Sequence, residues 1–197
     1  QYTDILTSVW MRWRRYLKLL EIFELQKDAA RIASKKDNVG NRSEPNIQKI
    51  IRWLKMVNIG PTFKHLYKDS EGMGTTMTAI NIDEEGVLHV AHVGDSRCYV
   101  LSKRNLIKLT QDENVPGYQN VLIQALGTKK KLKIQTKDIH LLKGDVVLLC
   151  TDGLYNELGE EYLKKKLQEG ISAETLVSEV LLQEPKDNIP AIIINII

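Results

Sequence analysis

The chain has 197 residues, 43% of them hydrophobic and 27% charged, with a formal net charge of +3. That length fits one domain, or one domain with a small appendage, and the apolar fraction is enough to bury a real core. The charge is too small for a nucleic-acid surface, no apolar run is long enough to cross a bilayer, and the first residues lack the charged start and apolar stretch of a signal peptide, so a cytoplasmic location is expected.

In chain order, the first third reads as helix. Ile5, Val9, Trp13, Tyr16, Leu17, Leu20 and Phe23 recur at spacings of three and four and form one apolar stripe. Arg12, Arg14, Arg15 and Lys18 lie in the same pattern and read as a solvated face. The polar segment Lys35–Pro45 is a connector. A second helix is expected beyond it, with Ile47, Ile50, Ile51, Leu54 and Val57 on one side, before Gly60-Pro61 interrupts the pattern.

After Gly72 the period changes. Thr75–Ile82 and Val87–Val93 read as two strands joined by a turn at Asp83-Glu84-Glu85-Gly86. Gly94-Asp95-Ser96 breaks the second, and Arg97–Leu101 and Leu106–Leu109 follow as a further hairpin. More strands are expected at Lys133–Leu142 and Asp145–Cys150, the latter a continuous apolar run of the kind buried on both faces. Two amphipathic helices, Glu160–Gln168 and Ala173–Leu182, come next, with Ser172 as N-cap of the second. The closing run Ala191–Ile197 reads as a central strand. Cys98 and Cys150 each lie inside an apolar strand, so two buried free thiols are expected rather than a disulfide. Helices segregated from antiparallel strands make an α+β fold, and the whole reads as one domain over 1–197, helical over 1–70 and β-rich over 71–197 with two late helices.

Three aspartates stand at the ends of apolar strands: Asp95, Asp152 and Asp187. A carboxylate at the edge of a core costs desolvation energy unless it is paired or holds a cation, and hard oxygen ligands from separate strand ends suit magnesium or manganese. Taken singly, each is equally well a turn or cap residue, and Gly94-Asp95-Ser96-Arg97 could be a bulge with an internal Asp–Arg pair.

Their ordered context says more. Gly72-Met73-Gly74-Thr75-Thr76 precedes a hairpin; His92-Val93-Gly94-Asp95-Ser96-Arg97 with Tyr99 follows. Leu109-Thr110-Gln111-Asp112, Gln124-Ala125-Leu126-Gly127, the run Gly144–Leu154 containing Thr151-Asp152-Gly153, and Asp187-Asn188-Ile189 come after it. From about Val57 to the end this series resembles the type 2C metal-dependent Ser/Thr protein phosphatases, especially the compact bacterial ones. The resemblance implies a pair of packed antiparallel sheets flanked by helices. It implies hydrolysis of phosphoserine and phosphothreonine in a phosphoprotein substrate by a metal-activated water, with two or three magnesium or manganese ions. Asp152 and Asp187 would ligate a core metal, and Asp95 with Asp152 a third, weaker one. Arg97, Gly153 and Asn188 would be structural neighbours of the site.

Parts of the family pattern have no match. The opening strand pair with its phosphate-binding Arg, and the Asp-Gly-x-Gly-Gly segment whose Asp bridges both metals, are not in the sequence. The fold is therefore expected without its N-terminal strands, and hydrolysis by this chain alone is expected to be absent or very weak. None of His65, His89, His92 or His140 stands where some members keep a proton donor. After Asp112 the family inserts a longer flap, whereas Glu113–Tyr118 runs almost directly into Asn120-Val121-Leu122. A catalytically inactive pseudophosphatase that binds a phosphorylated partner is the alternative function. A haloacid dehalogenase-type phosphotransferase would need a second Asp two residues after Asp152, where Leu154 stands.

Overall fold

The computed structural model describes residues 74–128, 131–185 and 187–197. The helices expected before Gly72, the Lys35–Pro45 connector and His65 lie outside these residues. The described chain runs β1 (Met77–Ile82), β2 (Val87–Val93), β3 (Arg97–Ser102), β4 (Asn105–Lys108), β5 (Asn114–Val115), β6 (Tyr118–Leu122), β7 (Gln135–His140) and β8 (Val146–Cys150). Helices α1 (Asp152–Leu158), α2 (Glu160–Gln168) and α3 (Ala173–Leu181) follow, then β9 (Ala191–Asn195).

All strand pairings are antiparallel. One sheet has the order β1-β2-β7, a second β4-β3-β8-β9, and β5 and β6 form a small hairpin of their own. The expected α+β architecture of packed antiparallel sheets with helices outside is what the chain adopts.

Side-chain alternation explains the layers. Along β3, Cys98 and Val100 point to one face and Tyr99 and Leu101 to the other; along β8, Val147 and Leu149 alternate with Leu148 and Cys150. The first set meets Ile80, Leu88 and Val90 of the three-stranded sheet and forms the core between the sheets. The second set meets Leu154 and Tyr155 of α1, Leu163 and Leu167 of α2, and Leu176 and Val180 of α3. The apolar run of β8 is thus continuous because both its faces are covered, and full burial of Leu148 and Leu149 contributes about 2 kcal/mol each. A smaller cluster of Met77, Ala91 and Leu126 lies on the outer face of the three-stranded sheet.

Helix ends follow local chemistry. Glu160 and Glu161 open α2 while Lys165 and Lys166 close it, matching the helix dipole. The Ser172 side chain accepts a hydrogen bond from the Thr175 N–H at 3.1 Å and starts α3.

Three expectations change. The late helices number three, because α1 starts directly after β8. Its seven residues carry a glycine at the second position and are too short for an amphipathic period to show. The β5–β6 hairpin, joined through Pro116-Gly117, stands where no strands are expected. Among the described residues, β9 is the outer strand of its sheet rather than a central one, and its side chains are only partly buried. Cys98 and Cys150 are buried free thiols, and burial pushes the Cys98 thiol up to about 12.

Candidate metal centre

Strand register brings the three aspartates to one end of the four-stranded sheet. Arg97, the first residue of β3, pairs with Cys150, the last of β8, and Cys150 pairs with Ala191, the first of β9. Asp95 lies two residues before that line, Asp152 two residues after it and Asp187 four before it. Asp95 and Asp152 are buried, at 4% and 7% exposure, and Asp187 is half-buried.

Asp95 sits in the turn that links the two sheets. Gly94 adopts φ +108, and a Cβ there would fall 2.4 Å from Thr76 Cγ2, so this close approach requires glycine. The turn is then tied in place. The Ser96 and Thr76 hydroxyls share a hydrogen bond of 2.8 Å. His92 Nε2 donates to the Gly94 carbonyl at 2.9 Å, which leaves Nδ1 to accept from the Thr78 hydroxyl at 2.8 Å. Burial holds the His92 imidazole below its ordinary pKa, so it is neutral, as this pattern requires. The Tyr155 hydroxyl donates to the Asp95 carbonyl at 2.9 Å, and Asn114 Nδ2 donates to Asp95 Oδ2 at 3.1 Å.

Asp152 is the first residue of α1, where a carboxylate complements the helix dipole. Its Oδ1 accepts from the Gly153 N–H at 3.1 Å. Thr151, at the N-cap, does not cap; its hydroxyl donates instead to the Asn188 carbonyl at 3.2 Å. Gly153 packs against the same carbonyl, and a Cβ there would fall 2.4 Å from the Asn188 oxygen. The segment carrying Asp187 is thereby pressed onto the start of α1. Asp187 Oδ1 accepts from the Asn188 N–H at 2.8 Å.

Arg97 lies beside this end of the sheet, and much of its guanidinium is committed there. Nε and Nη2 hold the Asp112 carboxylate at 2.6–3.1 Å, and Nη1 donates to the Tyr99 hydroxyl at 2.8 Å and to Glu160 at 3.3 Å. The guanidinium carbon stands 3.5 Å from the Tyr155 ring centroid. Burial disfavours its charge, but Asp112 and Tyr99 outweigh that and hold the pKa above the ordinary arginine value. The remaining histidines lie apart: His89 bridges Asp83 and Asp138 on the three-stranded sheet, and His140 is exposed at the end of β7.

The acidic residues at this sheet end are carboxylates, Asp95 and Asp152 among them buried, and this chemistry fits magnesium or manganese. Among the described residues, no three His, Cys, Asp or Glu side chains close into a cluster that could hold a metal by themselves.

Sequence reasoning gave no role to Asp112, Glu113, Asn114, Thr151 or Tyr155. The signal for the first three was a polar triplet a few residues after a strand; Tyr155 had none, since a tyrosine after Asp-Gly-Leu reads as core.

Antiparallel sheets packed together with helices outside, and acidic turns gathered at one sheet end, define a protein of the type 2C phosphatase class. The Stage II sporulation protein E (SpoIIE) family matches residues 53–194, and the chain belongs to this family and with it to the bacterial type 2C phosphatases. The serine/threonine phosphatase stp of Listeria monocytogenes is 30% identical over 154 residues, which cover 66% of this chain and 61% of that protein. The chain thus spans about three-fifths of the length of this relative. PppA of Pseudomonas aeruginosa shares the fold with a TM-score of 0.75 at 22% identity, over 95% of this chain and 85% of PppA. The catalytic domain of PstP, solved with 2 manganese ions, superposes with a TM-score of 0.67 at 24% identity, over 86% of this chain and 79% of that domain.

Proposed function

We propose that this chain supplies part of the catalytic centre of a metal-dependent Ser/Thr protein phosphatase, within a single domain spanning 1–197. What supports the proposal is that Asp95, Asp152 and Asp187 all lie beyond the same end of the four-stranded sheet, in a chain of this family. Asp152 and Asp187 would hold one divalent ion, and Asp95 with Asp152 a weaker one. Further ligands would come from outside the described residues. The manganese in the PstP structure supports magnesium or manganese as the cofactor. When bound, the ions supply an acidified water and neutralise charge on the phosphoryl oxygens.

The chain's own residues perform the positioning. The β8–α1 junction orients Asp152, the Gly153 approach holds the Asp187 segment against it, and the network around Gly94 fixes Asp95. Tyr155, whose phenol burial pushes well above its ordinary pKa, stays neutral and donates. The substrate on this reading is a phosphoprotein, and the setting is cytoplasmic signalling; no helix among the described residues is long and apolar enough to cross a membrane.

The test is manganese-dependent hydrolysis of a phosphothreonine peptide by the intact protein, with Asp152→Ala alongside. The variant should lose on the order of a thousandfold in kcat/KM. Equal activity in both proteins would sink the site assignment. The second function is a pseudophosphatase that binds phosphorylated partners. It predicts phosphopeptide binding with no turnover.

A further inference from the structure

Three consecutive residues after β4 grip the turn that carries Asp95. Asp112 holds Arg97 through two nitrogens. Glu113 engages Gly94 twice: its carboxylate accepts from the Gly94 N–H at 2.9 Å, and its own N–H donates to the Gly94 carbonyl at 2.9 Å. The same carboxylate accepts from the Gln124 and Gln135 amides at 2.8 and 2.9 Å, so it is itself fixed. Asn114 alone of the three reaches the Asp95 carboxylate, through Nδ2 to Oδ2 at 3.1 Å.

These contacts divide the work. Glu113 and Tyr155 fix the backbone on either side of the Asp95 side chain. What they leave undetermined is the rotation of the carboxylate. Asn114 is the first residue of β5 and pairs with Leu122 of β6, so its amide is presented from a hairpin rather than from a free loop. An amide donor is neutral. It can hold one carboxylate oxygen without cancelling the negative charge, whereas a lysine or arginine there would compete with a cation as an ion pair.

The geometry points to Asn114 as a positioning residue that orients the Asp95 carboxylate toward a divalent cation. This inference rests on Asp95 being a metal ligand, as in the proposed function, and the two can fail separately.

The experiment is a calorimetric manganese titration of the intact protein and of its Asp95→Ala, Asn114→Ala and Asn114→Leu variants. It is paired with the manganese dependence of phosphopeptide hydrolysis. Asp95→Ala should remove the weaker binding step. Asn114→Ala should weaken that same step about tenfold, leave the tighter step within twofold, and raise the manganese concentration needed for half-maximal hydrolysis by a similar factor. A merely structural role would lower the melting temperature without separating the two steps. Asn114→Leu keeps the side-chain volume, removes the donor, and provides the comparison if Asn114→Ala does not fold. Loss of the weak step in Asp95→Ala with both Asn114 variants at wild-type affinity would overturn the positioning role alone. No change in Asp95→Ala would overturn the ligand assignment and the inference together.

Discussion

Asp95 and Asp187 flank the same end of one sheet, yet the chain holds them there by different means. The Asp95 turn is fixed by polar side chains: Thr76, His92, Glu113, Asn114 and Tyr155 all bond to Gly94, Asp95 or Ser96. At the Asp187 segment the Asn188 carbonyl packs closely against Gly153 and accepts from the Thr151 hydroxyl. A turn joining two sheets has buried donors and acceptors that must all be satisfied, so it attracts a network. The Asp187 segment follows an exposed stretch and presses its Asn188 carbonyl onto Gly153, which leaves little room for added bulk. The first should therefore be sensitive to lost hydrogen bonds and the second to added bulk.

The largest expected effects come from the two glycines. Gly94→Ala combines a positive φ with a clash against Thr76 and should destabilise by about 4 kcal/mol. Gly153→Ala brings a Cβ against the Asn188 carbonyl and Ile189 Cγ2 without a positive φ and should cost about 2 kcal/mol. Denaturant unfolding measures both, and hydrogen exchange should show faster opening near Asn188 only in the second. Equal exchange at both turns would break the distinction.

Glu113→Ala removes the acceptor of three donors and should cost about 2 kcal/mol, with faster exchange at Gly94 and none at Asn188. Ser172→Ala, remote from both turns, should cost about 1 kcal/mol through the α3 cap and leave manganese binding unchanged.

The smallest effect is on pH dependence. His92 belongs to the Asp95 network, and its folded pKa lies below the ordinary histidine value of 6.5 because burial disfavours the cation. Its contribution to stability is present above pH 6.5 and is lost as pH falls through the folded value. His89, on the opposite face of β2, loses some basicity to burial, but its bonds to Asp83 and Asp138 outweigh that and raise its pKa. Its contribution is present below pH 6.5 and is lost as pH rises through the raised value. An NMR titration should place the two imidazoles on opposite sides of 6.5. With both on one side, the assigned hydrogen-bond roles are wrong.

The same contrast governs what could be read from the sequence. Val87–Val93 was legible as an apolar run bounded by turn residues, and Val146–Cys150 as a continuous apolar run of the kind buried on both faces. The late helices at Glu160 and Ala173 were legible from their apolar spacing and, for the second, its cap. Helix α1 was not, because Asp-Gly after a strand has the chemistry of a turn and seven residues give no period. The β5–β6 hairpin was hidden by its two-residue first strand and its exposed Tyr118 and Val121. The aspartates could be picked out as strand-end residues. The residues that hold Asp95 could not, because Glu113 and Gln124 flank a hairpin the sequence did not reveal, and Gln135 joins them only from the start of β7.

Anomalous scattering from manganese in crystals of the intact protein tests the central claim most directly. The account predicts an anomalous peak within direct ligand distance of the Asp152 and Asp187 carboxylates, lost in Asp152→Ala. A fully loaded protein whose manganese peaks all lie away from this end of the four-stranded sheet would contradict it.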